Sequence, residues 1–220
     1  MMNNSPKTDE EIAYERLRNL IISGELPINE FLSQRKLSEQ VGSAVVTVRA
    51  ALRSLESEGL IENIPRWGVR IPEETEEVLR DRYFMREVLE VAAMRRILNQ
   101  NNPEHLKVLV DMAERCDQVE SEEPTNMELF SKVHYDFHRA IAELSGSPLL
   151  LEALDRIHLR TLMLYNAHRG WGRGRDRVTH VALMHEIMNG DWQHIKETMR
   201  HHIRRGLQHE LEFLGERISI

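Results

Sequence analysis

Apolar positions at three- and four-residue spacing begin close to the N-terminus. Thr8-x-x-Glu11 has the capping-box pattern and opens a helix on which Ile12, Leu17, Leu20 and Ile21 share a face. Ser23-Gly24 ends it, and Leu26-Pro27 with Asn29 reads as a turn. Ser33 caps a second helix, Gln34 to Val41, with Leu37 inward, and Gly42-Ser43 forms a tight turn. A third helix is expected from Val45 to about Glu58, with Val48, Leu52 and Leu55 inward and Gly59 as its stop. Leu60 to Asn63 and Gly68 to Ile71 are short β-prone runs joined by Pro65-Arg66-Trp67-Gly68, a small hairpin.

The rest of the chain reads as helix almost throughout. Glu76 to Asn99 carries Val78, Leu79, Phe84, Val88, Leu89 and Ile97. Asn102-Pro103 restarts a helix, with proline in its first turn. Pro124 separates it from the next, Met127 to Leu144, which stops at Gly146-Ser147-Pro148. One helix is expected from Leu149 to His168, followed by a glycine- and arginine-rich loop, Gly170 to Gly174. Thr179 to Met188 is a further helix, and Asp191 caps the last, which runs to about Phe213.

The predicted architecture is mostly α: a winged helix-turn-helix domain over residues 8–72 and an all-helical bundle over 73–220. In a winged helix the third helix turns one face to the core and the other to the major groove. The hairpin reaches the phosphates or the minor groove.

Composition narrows the setting. Hydrophobic residues make up 41% of 220 and charged residues 30%, ordinary for a water-soluble globular chain. No apolar run approaches the ~18–20 residues that span a bilayer, so no membrane association is expected. The polar, acidic start, Met1 to Glu11, does not read as a secretory signal. Cys116 is the single cysteine, which excludes an intramolecular disulfide framework and a multi-cysteine zinc site and fits a cytoplasmic location. Charge is uneven: residues 1–72 carry 9 Lys/Arg against 10 Asp/Glu, and the remainder 20 against 26. Phe31 to Pro72 is a positive island, 6 against 4, enough for a local DNA-contact surface in an acidic protein. All 11 histidines lie at or after His105.

Tyr14 to Ile71 resembles the GntR family of bacterial transcription regulators. The carriers are Leu17–Leu26 (Leu-Arg-Asn-Leu-Ile-Ile-Ser-Gly-Glu-Leu), Leu32–Gly42 (Leu-Ser-Gln-Arg-Lys-Leu-Ser-Glu-Gln-Val-Gly) and Thr47–Ile61 (Thr-Val-Arg-Ala-Ala-Leu-Arg-Ser-Leu-Glu-Ser-Glu-Gly-Leu-Ile). The second unit is similar to the FCD effector domain of the same family, in Arg86–Glu90, Phe137–Pro148 and the histidines around Gly190-Asp191. The resemblance implies DNA contacts from Arg35, Arg49 and the wing glycine, Gly68, with Thr47 in reach of a phosphate. Arg66 and Arg70 flank the wing and join the candidates on position alone; for each arginine the alternative is a solvated surface charge. One departure stands out. Where the family usually reads Ser-Arg-Thr-Pro-Val-Arg, this chain has Ala44-Val45-Val46-Thr47-Val48-Arg49. Valine touches a thymine methyl but cannot bind guanine bidentately, so a different operator is expected, and loss of sequence-specific DNA binding is the alternative.

In the FCD domain three histidines and an aspartate bind a metal. His138, His180 and His202 match the histidines, and His134 stands where the aspartate is usual. His134 and His138 are four apart and share a helix face. A four-histidine set suits zinc or nickel, and also cobalt, better than magnesium or calcium. The alternative is a polar or hydrogen-bonded histidine face. His105, His194, His201 and His209 read as solvated, while His158, His168 and His185 have no fixed place. Effectors of the class are small carboxylates, for which Arg86 and Arg160 are the candidate anchors; salt bridges to Glu87, Glu90 or Glu152 are the competing role.

The resulting expectation is a homodimeric regulator binding a near-palindromic duplex operator under control of a metal and a carboxylate. A ligand-sensing module without operator recognition is the first rival. A metal-dependent hydrolase is disfavoured, because His134-Tyr135-Asp136-Phe137-His138 lacks the glutamate of an H-E-x-x-H site.

Overall fold

The computed structural model describes residues 7–23, 25–122, 126–168 and 179–218, except the side chains of 160, 165–168 and 216–218. The chain divides into two compact units, Met1–Glu74 and Thr75–Ile220.

In the first unit α1 (Asp9–Ile22) starts in a complete capping box: the Thr8 hydroxyl accepts from the Glu11 amide and the Glu11 carboxylate accepts from the Thr8 amide. A two-residue strand β1 (Phe31–Leu32) precedes α2 (Gln34–Val41), which Ser33 caps by accepting from the Lys36 amide. The turn into α3 (Val45–Ser57) uses Gly42 at φ 64°, and Arg16 donates to the Val41 carbonyl at 2.6 Å. Two further strands, β2 (Glu62–Ile64) and β3 (Gly68–Arg70), form the hairpin. The sheet order is β1-β3-β2, antiparallel throughout, with Leu32 opposite Val69 and Asn63 opposite Val69 on the other side. The pattern reading missed β1, since two residues are too few to alternate. Leu17, Leu37, Val48, Leu52, Leu55, Leu60 and Val69 are buried together with Ala13 and Ala51.

The second unit is helical: α4 (Glu76–Gln100), α5 (Pro103–Ser121), α6 (Met127–Leu144), α7 (Pro148–Arg156), α8 (Leu159–His168), α9 (His180–Asn189) and α10 (Trp192–Ile218). One apolar cluster joins Met94, Ile97, Leu109, Phe137, Ile141, Leu183 and Met199, and another joins Leu79, Tyr83, Leu154, Leu162, Met163 and Ile203.

Three expectations need correction. The single helix from Leu149 to His168 is two, broken at His158, which takes φ 54°. No glycine or proline marks the break; it lets Leu154 and Leu159 both enter one core cluster. The last helix passes Phe213 and ends at Ile218. Val78, Phe84 and Val88 do not face the core of α4 but are exposed. That core face carries polar residues instead, with Arg86, Glu87 and Glu90 buried beside Leu79, Tyr83 and Met94. The expected loop Gly170 to Gly174 lies outside the described residues.

Candidate functional site

Each unit brings one group of the candidate residues together. In the first, Ala44 at the N-cap of α3 gives no side-chain cap, and Val45 and Val46 stand exposed, Val46 at 74%. Arg49 lies one turn on, exposed, with its Nε donating to Gln34 on α2 at 3.1 Å. Arg35, also exposed, donates to Glu39 at 3.2 Å. Thr47 is half-buried between them in sequence. The hairpin tip holds Arg66 at φ 73° beside exposed Trp67, whose ring lies 5.2 Å from that of Phe31.

Two wing candidates have structural employment. Arg70 makes two bonds to Glu62, the shorter 2.5 Å, reaches Asn29 at 3.2 Å, and lies over the Phe31 ring. It ties the three strands together. Gly68 has φ 104°, and a Cβ there would sit 2.4 Å from the Leu32 carbonyl oxygen. The close approach of β1 to β3 therefore demands glycine at this position.

The second unit gathers the four histidines. His134 and His138 come from α6, His180 from the first turn of α9, and His202 from α10. All four are buried, and one ligating atom from each lies within 4.8 Å of the others. His138 Nε2 is 3.0 Å from His134 Nε2 and 3.5 Å from His202 Nε2. Phe130 stacks on His134, and Phe137 packs edge-on against His138 and His180, so apolar rings wall the group. Burial holds His134, His138 and His202 well below the usual imidazole range. For His138, the Arg86 guanidinium and His180 add to it; for the others, the neighbouring histidines and Arg86 do. Neutral imidazoles are the ligating form. His180 Nε2 is buried, with no hydrogen-bond partner among the described residues, and a cation would satisfy it. The donor set is therefore compatible with a divalent metal.

Two carboxylates complete the group: Glu90, weighed in the sequence only as a partner of Arg86, and Asp117, which the sequence did not single out. Glu90 accepts from Arg86 Nε at 2.6 Å through Oε1 and lies 2.8 Å from His138 Nδ1 through Oε2. Burial pushes its carboxyl up, opposed by Arg86. Asp117 on α5 accepts from the backbone amides of His180 (2.9 Å) and Val181 (3.0 Å), and its Oδ1 is 3.1 Å from His180 Nδ1. Burial works against this carboxylate, but the His180 side chain and the two amides outweigh it and hold it low. Glu90 sits in the Arg-x-x-x-Glu spacing of one helix turn and was legible as a partner of Arg86. Asp117 is 63 residues from His180, and no local signal points to it.

Of the two roles weighed for Arg86, the structure shows the salt bridge: it is paired with Glu90, and its Nη2 also lies 2.7 Å from His138 Nε2 with the guanidinium over Tyr83. The Arg160 side chain and that of His168 lie outside the described residues. His194 pairs with Glu186 at the surface. No helix among the described residues is long and apolar enough to cross a membrane.

Comparison with known proteins agrees with this two-part geometry. Residues 10–71 match the model of bacterial regulatory proteins of the gntR family, and residues 81–205 match the FCD domain. The HTH-type transcriptional regulator YdhC of Bacillus subtilis is 23% identical over 206 residues, covering 91% of this chain and 88% of that protein. McbR of Escherichia coli, also an HTH-type transcriptional regulator, is 27% identical over 144 residues, covering 66% and 64%. The crystal structure of a GntR-family regulator from Pseudomonas syringae superposes with a TM-score of 0.55 at 23% identity, covering 96% of this chain and 88% of that one. These relatives are transcription regulators, not enzymes. By the match of both its parts, in this order, the chain belongs to the GntR family of bacterial transcription regulators and carries an FCD domain.

Proposed function

We propose that this regulator acts as a cytoplasmic homodimer that reads a near-palindromic operator and responds to a divalent transition metal and a small carboxylate. The observation that carries the reading is the buried quartet of His134, His138, His180 and His202 inside an FCD domain. These four residues hold the ion, and an all-imidazole set favours zinc or nickel over magnesium or calcium. When bound, the metal supplies a Lewis-acidic position for a carboxylate oxygen. Arg86, the buried cation at the edge of the quartet, pairs with that carboxylate.

On the DNA side, Arg35 and Arg49 supply exposed cations from α2 and α3, Thr47 and Arg66 add further donors, and the uncapped first turn of α3 offers amides to a phosphate. Arg70 and Gly68 act by holding the wing in shape. Val45 and Val46 favour thymine methyls where an arginine would take guanine. Dimerisation is supported by an apolar stripe on α4, where Val78, Met85, Val88 and Phe84 are all exposed on one side of the helix. Phe84→Glu is expected to convert dimer to monomer in sedimentation.

Selection from random duplex DNA, with zinc-loaded full-length protein at a stated salt concentration, tests the reading. Enrichment of a two-fold repeat with thymine in each half-site is the expected outcome. A folded, zinc-loaded protein that enriches nothing would transfer the assignment to a sensing module without operator recognition.

A further inference from the structure

Two buried or half-buried carboxylates beside the quartet have no part in holding the ion directly. Their hydrogen bonds nevertheless decide which nitrogen of two imidazoles faces inward. Arg86 has only protons to give, and its Nη2 lies 2.7 Å from His138 Nε2. That nitrogen must therefore be the lone-pair nitrogen. A neutral ring then carries its proton on Nδ1, where Glu90 Oε2 accepts it at 2.8 Å. At His180 the logic runs from the other end. Asp117 already accepts two backbone amides, from His180 and Val181, as only an acceptor can. The third contact, 3.1 Å from His180 Nδ1, is then an N–H donating to the same carboxylate. In a neutral ring His180 Nε2 is then the lone-pair nitrogen, buried and without a hydrogen-bond partner among the described residues.

Two histidines on different helices, α6 and α9, thus turn an Nε2 lone pair inward, that of His138 being held by the Arg86 N–H until an ion displaces it. Each is held there by a carboxylate from a third or fourth helix, α4 or α5. We infer that Glu90 and Asp117 are positioning residues of the metal centre, fixing Nε2 of His138 and His180 as the ligating atoms and keeping those rings oriented. The inference rests on the metal reading of the quartet. It also accounts for charge. The four neutral imidazoles bring no negative charge, and Asp117 supplies a carboxylate one hydrogen bond further out, while that of Glu90 is balanced by Arg86.

Asp117 also caps α9, so a purely structural role has to be told apart. Full-length protein labelled with 15N-histidine reports the tautomers by long-range 1H–15N NMR in the metal-free state, with His138→Gln and His180→Gln as assignment controls. Nδ1-protonated rings at both positions are expected. Zinc affinity, read by competition with a chromophoric chelator, should fall about 10- to 100-fold in Asp117→Asn and in Glu90→Gln. A capping role alone would lower the thermal midpoint and leave zinc affinity within about twofold of wild type, against the effect expected of an outer hydrogen-bond partner. Either that affinity result in both variants, or Nε2-protonated rings at both histidines, overturns the inference while wild-type zinc binding keeps the metal reading. Wild-type protein that takes up no zinc overturns both.

Discussion

Arg49 and Arg86 are one residue type in two opposite settings. Arg49 is exposed on the first unit, with a single bond to Gln34. Arg86 is 2% exposed in the helical unit and spans Glu90, His138 and the Tyr83 ring. An exposed guanidinium is solvated and screened, and its worth appears only when a phosphate or a base arrives. A buried one is committed before any ligand arrives, and removing it strands the charge it pairs with. Under the proposed function, the first unit keeps its chemistry on the surface for a large polyanion. Under the same proposal, the second keeps it inside, where a small ion and a small anion would be felt most strongly.

Breaking that contrast should have its largest effect at Arg86. Arg86→Ala leaves Glu90 buried without its cation, and chemical denaturation should show a loss of about 3–5 kcal/mol. Gly68→Ala comes next. A Cβ would meet the Leu32 carbonyl in a left-handed backbone, at a cost of roughly 1–3 kcal/mol, seen as a lower thermal midpoint. Arg49→Ala should leave stability within about 0.5 kcal/mol. It should instead weaken operator binding by about 1–3 kcal/mol if it touches a base, as a fluorescence-anisotropy titration would measure. Arg35→Ala has the smallest expected effect, a reduction of about one in the slope of log affinity against log salt. Equal stability losses at Arg49 and Arg86 would erase the contrast.

The same contrast explains what was legible in the sequence. The capping box at Thr8, the Ser33 cap and the Gly42 turn are local, and their physics is written in four or five adjacent residues. The winged helix follows from them, apart from β1, whose pairing with β3 joins residues about 40 apart in the chain. Gly68 and Arg70 were legible as wing residues, but not as the pieces that hold β1 in place. The four histidines were legible only through family resemblance, because they come from three helices spread over 69 positions. Asp117 was not legible at all. Its role depends on α5 lying beside the N-terminus of α9, a tertiary fact without a local trace. The break at His158 belongs to the same class: core packing overrides an unbroken helical pattern.

Metal uptake by chelator-stripped, full-length protein, followed by X-ray absorption at the metal edge, tests the central claim most directly. The account predicts about one zinc or nickel per chain, with imidazole nitrogens dominating the first coordination sphere and uptake abolished in His138→Ala. A protein that takes up no ion, or holds one through oxygen ligands with His138→Ala unaffected, would contradict it.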